Sequence, residues 1–311
     1  MKNILITGGA GFIGSNLTQR LLHDGLHVTV FDDFSTGFLS NLPKNNPNLS
    51  IIEGSILDKE YLIKAVNNHD TVVHLAANAD VRGGLTNTQI DFNQNTLGTY
   101  NVLEACRINN VKTIAFSSSA TVYGEPTEYP TKETYPAIQT SLYGASKKAG
   151  EAMIEAYAEG FGIQAIIYRF VSFIGHNYSH GVLVDFYNKL LKNPNELYIL
   201  GNGKQQKSYL DVKDGVNAIV TTLNNPPQKS AIYNIGHDEY LTVNDVADTL
   251  CDHLKLENVN YAYSGKERGW IGDSPFVHLC TQKLKSLGWS PTLSIKDGIK
   301  KTLDGLTQST S

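Results

Sequence analysis

The sequence predicts an α/β protein with a doubly wound parallel sheet and a smaller α/β domain towards its C-terminal side. Three observations support this prediction. Short apolar strands alternate with amphipathic helices up to residue 170, a glycine-rich turn joins the first strand to the first helix, and the pattern changes after residue 170. The alternation indicates a parallel sheet, because each strand needs a crossover helix to reach the next parallel strand.

The first unit of the chain has the order strand, glycine turn, helix, strand and acid. Its parts are Asn3–Thr7, Gly8–Gly14, Ser15–His23, His27–Phe31 and the pair Asp32 and Asp33. Glycines lack a Cβ atom, so the turn can approach a pyrophosphate, and the helix N-terminus offers free N–H groups to phosphates. Asp32 would accept a hydrogen bond from a ribose 2′-hydroxyl and repel a 2′-phosphate. The unit therefore predicts a Rossmann domain that binds NAD rather than NADP.

The remaining elements follow from apolar periodicity and turn residues. In the first half we predict strands at Leu49–Ile52, Thr71–Leu75, Thr113–Ser117 and Ile163–Phe170, and helices at Lys59–Val66, Phe92–Asn109 and Tyr143–Gly160. In the second half we predict strands at Leu197–Leu200, Lys207–Val212, Ile232–Ile235 and Tyr261–Tyr263. The helices predicted there are Leu183–Leu191, Val216–Leu223, 243–254, Thr281–Leu287 and Ile295–Leu306. We expect the tail at Thr307–Ser311 to be frayed.

This pattern also predicts the domain organisation. Residues 1–171 would form the NAD-binding domain, to which residues 208–236 return. Residues 172–207 and 237–311 would form mainly the substrate-binding domain.

Composition and charge exclude several classes of protein. The 311 residues are 41% hydrophobic and 18% charged with a net charge of −4, which indicates a soluble globular protein and excludes nucleic acid as the main partner. We predict no signal peptide and no membrane partner, because no apolar run has the required length and flanks. Cys106, Cys251 and Cys280 lie far apart, which predicts reduced thiols, no metal site and a cytoplasmic location.

A run of hydroxyl residues at the end of a predicted strand precedes a tyrosine and a lysine four residues apart. The strand leads into Ser119, and Tyr143 and Lys147 follow in a predicted helix. Side chains at i and i+4 share a helix face, so we expect the Lys147 ammonium to lower the pKa of the Tyr143 phenol from its usual value of about 10. Such a phenol is a base for a sugar or alcohol hydroxyl, and Ser119 would hydrogen-bond to the same oxygen.

The positions of the motifs along the chain place them at one edge of the predicted sheet. Ligands of doubly wound sheets bind outside the carboxyl ends of the strands. We therefore expect Gly8, Asp32, Ala76 and Ser119 to converge on one crevice. A tyrosine and a lysine with this spacing are a weak motif by themselves, so the convergence is the main argument for a functional site.

Four motifs occur in an order that is specific for one family. They are Thr7–Gly14, His74–Ala77, Ser117–Gly124 and Tyr143–Lys147. With them the chain resembles the extended short-chain dehydrogenase/reductase family, and within that family the nucleotide-sugar epimerases of the UDP-glucose 4-epimerase type. The resemblance covers nearly the whole chain, including residues 201–214 and 268–289.

The resemblance implies roles for individual residues. The implied catalytic residues are Tyr143, Lys147 and Ser119. The implied NAD-binding residues are Gly8, Gly11, Phe12, Ile13, Gly14, Asp32, Asp33, Ser55, Ile56, Leu75, Ala76, Ala77, Asn95, Ser117, Tyr143 and Lys147. The implied residues for a UDP-sugar are Ser119, Tyr143, Ser172, Val182, Lys207, Arg268 and Asp273. Two of these depart from the family pattern, because many relatives have Asp at the position of Ser55 and Asn at that of Ser172. We expect altered contacts to the adenine and to the diphosphate there.

The implied activity is NAD-dependent epimerisation at C4, of the UDP-glucose/UDP-galactose type, through a transient 4-keto sugar with Tyr143 as acid and base. Dehydratases carry Asp-Glu just before the Val-Tyr-Gly motif, where this chain has Ala120 and Thr121, and neither can transfer a proton as a carboxyl group does. The alternatives are a UDP-N-acetylhexosamine or UDP-glucuronate 4-epimerase, a C2 epimerase, and a nucleotide-sugar dehydratase or decarboxylase. A non-catalytic NAD-binding sensor or scaffold is the alternative from another class.

The resemblance also implies a homodimer. The helices predicted at Phe92–Asn109 and Tyr143–Gly160 carry apolar residues on more than one face. Relatives pair these helices into a four-helix bundle between two subunits.

Overall fold

The computed structural model describes residues 2–270 and 272–310, and for residues 308–310 it describes the backbone only. The strands are β1 (Asn3–Thr7), β2 (His27–Asp32), β3 (Leu49–Glu53), β4 (Thr71–His74), β5 (Thr113–Ser119), β6 (Gln164–Phe170), β7 (Ser172–Ile174), β8 (Glu196–Ile199), β9 (Gln206–Lys207), β10 (Tyr209–Asp211), β11 (Ser230–Ile235), β12 (Leu241–Thr242), β13 (Asn260–Tyr263) and β14 (Phe276–Val277). The α-helices are α1 (Phe12–His23), α2 (Lys59–Val66), α3 (Thr88–Asp91), α4 (Gly98–Ile108), α5 (Leu142–Phe161), α6 (Val182–Lys192), α7 (Val212–Asn224), α8 (Val243–Leu254), α9 (Gln282–Lys285) and α10 (Ile295–Thr310).

The central layer is a seven-stranded sheet in the order β11-β6-β5-β4-β1-β2-β3, with every pair parallel. Successive residues of its strands supply two separate hydrophobic cores. Ile4 and Ile6 of β1 pack with Leu17 and Leu21 of α1, whereas Leu5 packs into the core on the opposite face. Helices therefore cover both faces of the sheet, as buried parallel sheets require. The predicted doubly wound α/β fold is confirmed.

The order of the strands reverses between β1 and β4. The chain runs from β1 outwards to β2 and β3, then returns to β4 and continues the other way through β5 and β6. The crossovers on the two sides leave a crevice at this switch point, outside the carboxyl ends of the strands. The glycine turn after β1 and the hydroxyl run at the end of β5 both lie at this edge.

The remaining strands form three small sheets beside the central one. They are the parallel pair β7–β10, the three-stranded sheet β12-β9-β14 and the parallel pair β8–β13. A third core lies among α6, α8 and α10 and includes Leu183, Leu190, Leu250 and Leu303. The strand β11 joins the central sheet beside β6, although elements of this smaller part both precede and follow it in the chain. The domain boundaries at residues 171, 207 and 236 stay a prediction, and the ends at residues 1 and 311 lie outside the described residues.

The predicted helix Phe92–Asn109 consists of a π-helical segment at Phe92–Leu97 followed by α4, and α3 directly precedes it. The wider π turn places Asn95 in the interior, where it bonds to the loop after β4 and to α5. Apolar periodicity does not show such a turn, because it is produced by these tertiary hydrogen bonds.

Two further boundaries differ from the predictions. The predicted strand Lys207–Val212 is two short strands, and α7 begins at Val212 instead of Val216 because the Asp211 carboxylate caps it by accepting a hydrogen bond from the Lys213 N–H at 2.8 Å. The predicted tail at Thr307–Ser311 is helical through Thr310, and Ser311 lies outside the described residues. Thr242 is the N-cap of α8 and forms a capping box with Asp245.

A buried histidine ends β4 and makes the stability of the fold depend on pH. His74 is fully buried between the hydroxyls of Thr7 at 2.7 Å and Thr99 at 3.1 Å. Burial, with a smaller contribution from the Lys147 charge, lowers the pKa of His74 from 6.5 to about 3. The stability that neutral His74 contributes is therefore complete above pH 6.5 and is lost as the pH falls from there towards 3.

We expect this histidine alone to reduce the free energy of unfolding by about 2 kcal/mol at pH 5 relative to pH 8. The measurement is urea unfolding of the wild type and of His74→Asn across this pH range. The variant is expected to be less stable overall and to lose less stability on acidification. His27→Asn changes an exposed histidine and should keep the wild-type slope. An unchanged slope in His74→Asn would contradict the assignment.

Several other properties of the described residues bear on function. None of the described helices is long and apolar enough to cross a membrane. The part of the chain that the structure describes contains no group of three or more His, Cys, Asp or Glu side chains arranged to hold a metal ion. Cys106 and Cys251 are buried and Cys280 is half-buried, all as free cysteines. Burial raises the pKa of the Cys106 thiol, which keeps it protonated.

Candidate active site

The glycine turn between β1 and α1 is closely packed and leaves no space for side chains. A Cβ atom on Gly14 would lie 2.1 Å from the Gly8 carbonyl oxygen, and one on Gly8 would lie 2.7 Å from the Ala76 nitrogen. Gly8 also has a φ of +70°, a conformation that glycine adopts without strain. Gly11 is the N-cap of α1 and provides no side-chain cap, so the N–H groups of the first turn are left for a ligand.

Asp32 lies beside this turn at the end of β2. One of its carboxylate oxygens accepts from the Ala10 N–H at 2.8 Å and the other from the Phe34 N–H at 2.9 Å. Burial raises its pKa, and these two hydrogen bonds partly offset that effect. Each oxygen keeps a further lone pair, so the carboxylate can still accept from a ribose hydroxyl. Asp33 instead turns to Ser35, from which its carboxylate accepts at 2.6 Å.

The other residues predicted to contact NAD line the same edge of the sheet. The Ser55 hydroxyl accepts from the Leu57 N–H at 3.2 Å, within the loop after β3. Ile56 is buried, and its backbone carbonyl accepts a hydrogen bond from the side-chain amide of Asn101. Leu75 and Ala76 continue β4, and the Ala76 N–H donates to the Thr7 hydroxyl at 3.3 Å. Half-buried positions at this edge are Phe12, Ile13 and Ala77.

The predicted catalytic residues come together where β5 ends and α5 begins. The Ser119 hydroxyl accepts from both the N–H and the hydroxyl of Thr121, at 3.2 and 3.0 Å. A hydroxyl has two acceptor lone pairs and one donor, so the Ser119 proton is directed to a third partner. A side-chain hydrogen bond joins Ser119 to Tyr143. Both side chains are partly exposed at the crevice, where a ligand hydroxyl can reach them.

Lys147 lies one turn further along α5 and is almost fully buried, at 2% exposure. Its ammonium donates to the Ser117 carbonyl at 2.9 Å and lies 5.1 Å from the centre of the Phe116 ring and 5.8 Å from that of Tyr143. Loss of hydration lowers its pKa to about 7, and the negative charge of Asp91 opposes the shift. Lys147 can therefore change its charge near neutral pH.

The expectation that the pKa of Tyr143 lies below its usual value is wrong. Burial is the main cause that raises the pKa of Tyr143 to about 12; the hydrogen bond with Ser119 lowers it in part, and the charge of Asp91 adds a smaller increase. The i, i+4 spacing predicts that Tyr143 and Lys147 share a face, and they do. It does not predict that both lose their hydration there, which disfavours the charged form of each.

A network of amides and hydroxyls supports the start of α5. The side-chain oxygen of Asn95 accepts a hydrogen bond from the Asn78 backbone N–H at 2.8 Å. Its side-chain nitrogen donates to the Ser146 hydroxyl at 3.0 Å. Ser146 in turn donates to the Tyr143 carbonyl at 2.8 Å. The sequence motif identifies Asn95 but not its partners, because Asn78 and Ser146 are brought to it by the π-helical turn.

A second polar cluster lies across the crevice, in the smaller part of the chain. Lys207 pairs with Asp273 at 2.6 Å and donates to the Ser274 carbonyl, and the other Asp273 oxygen accepts from the Gly269 N–H at 3.0 Å. Arg268 pairs with Glu125 at 2.7 Å at a half-exposed position.

The two remaining residues predicted for the sugar lie on neighbouring elements. Ser172 is exposed in β7, and Val182 is half-buried at the first turn of α6.

Sequence reasoning missed three features around the crevice. Asp91 is buried beside Asn95, and Glu151 forms a buried ion pair with Arg169 at 2.7 Å. Trp270 is half-buried, and the Arg82 guanidinium lies 5.7 Å from its ring centre. The spacing of Glu151 from Lys147 is a signal that could have identified it, since four residues place both on the same face of α5.

The fold and this site define a dinucleotide-binding protein with a serine, a tyrosine and a lysine at the ligand crevice. Residues 4–236 match the NAD dependent epimerase/dehydratase family. The chain belongs to this family. The predicted membership of the extended short-chain dehydrogenase/reductases, with NAD as cofactor, is thereby confirmed.

Individual relatives match over the full chain. A curated relative from Methanocaldococcus jannaschii, provisionally named a UDP-glucose 4-epimerase, is 34% identical over 97% of each chain. The UDP-glucose 4-epimerase of Thermotoga maritima, solved with UDP-glucose, is 30% identical with a TM-score of 0.91, covering 99% of this chain and 100% of that one. The UDP-glucose 4-epimerase of Thermus thermophilus, solved with NAD, is 31% identical with a TM-score of 0.89, covering 98% and 99%.

Proposed function

We propose that the protein is a nucleotide-sugar 4-epimerase of the UDP-glucose/UDP-galactose type. The observation that carries the proposal is the meeting of Ser119, Tyr143 and Lys147 at the end of β5, next to the glycine turn. A phenol, a hydroxyl and a buried ammonium can move one proton at a sugar hydroxyl. Epimerisation at C4 through a 4-keto sugar needs no other acid or base.

The residues present fit NAD. The turn that a Cβ atom would fill, the uncapped first turn of α1 and the Asp32 carboxylate match a pyrophosphate and an adenosine ribose. We assign the pyrophosphate to Gly8, Gly11 and Gly14 and their neighbours, and the nicotinamide side to Lys147, Tyr143 and Ser117. When bound, NAD supplies the hydride acceptor, the hydride donor and a positive charge.

The chain's own groups then handle the proton. Tyr143 takes the proton from the sugar 4-hydroxyl and returns it after the ring has turned over. When the sugar is bound, Ser119 would turn its single O–H from Tyr143 to the same sugar oxygen, because its two lone pairs are occupied by Thr121. Lys147 stabilises the phenolate through its charge when both groups lie in the same dry environment. The crevice holds the sugar by its nucleotide, so the 4-keto sugar stays bound between the two half-reactions.

The residues before Val122 argue against dehydration and decarboxylation. A dehydratase needs an acid and a base in addition to the tyrosine, and here the two positions hold Ala120 and Thr121. Thr121 has a different use, since both its N–H and its hydroxyl orient Ser119. The family also includes trifunctional enzymes of Arabidopsis thaliana with UDP-glucose 4,6-dehydratase activity. The chain matches 47% of the length of one of them at 32% identity.

We assign the nucleotide-sugar diphosphate to Lys207 and Arg268 and the nucleoside ribose to Asp273, with Ser172 and Val182 near the sugar. A cation suits a diphosphate, and a carboxylate suits ribose hydroxyls. Lys207 is paired with Asp273 in this structure, so a bound diphosphate would replace the Asp273 carboxylate as the anionic partner of Lys207.

The test is incubation of the purified protein with UDP-glucose, UDP-galactose, UDP-N-acetylglucosamine and UDP-glucuronate, with the products read by NMR. Interconversion of UDP-glucose and UDP-galactose supports the proposal. A UDP-N-acetylglucosamine 4-epimerase of Methanobrevibacter ruminantium and a UDP-glucuronic acid 4-epimerase of Bacillus cereus are both 26% identical, with TM-scores of 0.90 and 0.91. Turnover of only UDP-N-acetylglucosamine or only UDP-glucuronate would identify that nucleotide sugar as the substrate in place of UDP-glucose and UDP-galactose. Tight NAD binding with no turnover of any of the four sugars would favour a sensor.

We propose further that two copies of the chain pair through α4 and α5. Large apolar side chains remain exposed on and around these helices, namely Phe92 at 59%, Leu97 at 39%, Ile108 at 45% and Phe161 at 56%. Exposed apolar residues concentrated on adjoining helices are typical of a subunit interface. Sedimentation should give twice the mass of 34.1 kDa, and the double variant Leu97→Glu/Phe161→Glu should shift it to the monomer. A wild-type monomer at micromolar concentration would refute the pairing.

A further inference from the structure

Asp91 is a buried carboxylate close to the catalytic helix that the proposed chemistry does not use. It is the last residue of α3, directly before the π-helical segment, and only 1% of it is exposed. Burying a carboxylate is costly unless hydrogen bonds or an opposite charge compensate it. None of the ion pairs within residues 2–270 and 272–310 includes Asp91 or Lys147.

The two oxygens of Asp91 have different surroundings. Oδ1 accepts from the amide of Asn78 at 2.8 Å and from that of Asn95 at 3.3 Å. Oδ2 is buried and has no hydrogen-bond partner among the described residues. It lies against the backbone of Gly84, where an added Cβ would be only 2.5 Å away. Half of this carboxylate is therefore left without local compensation.

Lys147 and Tyr143 are the groups of α5 that feel this charge. The negative charge of Asp91 favours the ammonium form of Lys147 and disfavours the phenolate form of Tyr143. The other titratable groups that act on this cluster are Asp80, in the loop after β4, and His74, at the end of β4. His74 is neutral near pH 7, since its pKa is about 3. Burial raises the pKa of Asp91, while the hydrogen bond from Asn78 and the charge of Lys147 lower it, and Asp91 is the carboxylate whose charge acts on Lys147.

Asp91 also acts on α5 through hydrogen bonds. Its partner Asn95 donates to Ser146, and Ser146 donates to the Tyr143 carbonyl. The chain of contacts runs from the π-helical turn to the first turn of the helix that carries the catalytic pair. The charge of Asp91 therefore acts on Lys147 and Tyr143, and its hydrogen-bond network reaches the backbone of Tyr143.

We propose that Asp91 is a positioning residue for the epimerisation, which holds buried Lys147 in its charged form and fixes the first turn of α5 through Asn95 and Ser146. This inference rests on the proposed function for its catalytic consequence. Its electrostatic part concerns the protein alone and can be measured without any substrate.

The test follows the titration of Lys147 by NMR in full-length protein labelled at the lysine ε-carbon, with the signal assigned by its loss in Lys147→Arg. In the wild type the signal should titrate near the pKa of about 7. In Asp91→Asn, which keeps the shape and removes the charge, the midpoint should fall by about 0.5–1 pH unit. The matched control is Asp214→Asn, a buried aspartate in α7 that accepts from Thr292, and its midpoint should equal that of the wild type.

Activity is measured on the same proteins with UDP-galactose. Asp91→Asn should move the pH profile of kcat to lower pH by about 0.5–1 unit, since the pKa values of Tyr143 and Lys147 both fall. Asp91→Ser, which is neutral and smaller, serves if the amide does not fold, and it should shift the Lys147 midpoint in the same direction. An unchanged midpoint in both variants would overturn the inference even if the wild type is an epimerase. A shifted midpoint in an inactive wild type would overturn only the proposed function.

Discussion

Replacing Tyr143 with phenylalanine is expected to reduce kcat for epimerisation about a thousandfold, because the variant lacks the phenol to which the proposed mechanism assigns removal of the proton from the sugar 4-hydroxyl. The ring and its packing are kept, so the affinity for UDP-galactose should stay close to that of the wild type. The measurement is a single-turnover assay of sugar oxidation together with calorimetric titration of the nucleotide sugar. The mechanism needs the phenolate of Tyr143, whose pKa is about 12, and the ammonium of Lys147, whose pKa is about 7, so wild-type activity should rise up to about pH 7 and level off above it.

The control for this prediction lies on the same helix. Tyr157→Phe removes a phenol hydroxyl that donates to Glu104 at 2.7 Å, far from Ser119, and should leave kcat close to that of the wild type. Retention of full activity by Tyr143→Phe would remove the basis of the proposed mechanism. Equal losses in both variants would show that helix α5 tolerates no such change, which would also contradict a special role for Tyr143.

Replacing Glu151 with alanine is expected to destabilise the fold by about 3–5 kcal/mol, because it leaves a buried guanidinium without its partner. Glu151 is fully buried and accepts two hydrogen bonds from Arg169, at 2.9 and 2.7 Å, and one from the Ser118 hydroxyl at 2.6 Å. These contacts lower its pKa despite burial, and they join α5 to β5 and β6 directly behind the catalytic residues.

Urea unfolding measures this effect, and a second glutamate of α5 provides the control. Glu159 pairs with Lys229 at 2.8 Å, but both side chains are about two-thirds exposed, at 69% and 67%. Glu159→Ala should therefore change the free energy of unfolding by less than about 1 kcal/mol. If the two alanine variants lost similar stability, the buried pair would not be the support of the site that its contacts indicate.

Arg169 connects this pair to the loop before α5. Its guanidinium also donates to the Glu133 carbonyl at 3.0 Å and lies 4.6 Å from the centre of the Tyr123 ring. Tyr123 donates in turn to Asn234 of β11 at 2.7 Å. The ion pair thus ties the hydroxyl run of β5 to the strand that returns from the smaller part of the chain. A one-turn spacing from Lys147 suggests Glu151, but nothing local indicates Arg169.

The reasons for the successes and failures of sequence-based prediction can be read from particular elements. The first unit is predictable nearly to the residue because glycine and aspartate act there through backbone geometry, which is local. The helix containing Asn95 is predicted as regular because its π-helical turn is produced by partners from two other elements. Ser119 and Tyr143 are predicted as a pair by motif, whereas their hydration cannot be predicted, since it depends on everything packed around them.

The sequence alone predicts the doubly wound sheet, the NAD-dependent family and the residues Ser119, Tyr143 and Lys147. It can do so because alternating apolar patterns and glycine turns act over short distances along the chain. Only the tertiary structure decided the charge environment of the site. It buried Lys147 with Asp91 facing it, raised the pKa of Tyr143, and paired Lys207 with Asp273. Desolvation and Coulomb interactions depend on distances between residues that lie far apart in sequence, and only folding sets those distances.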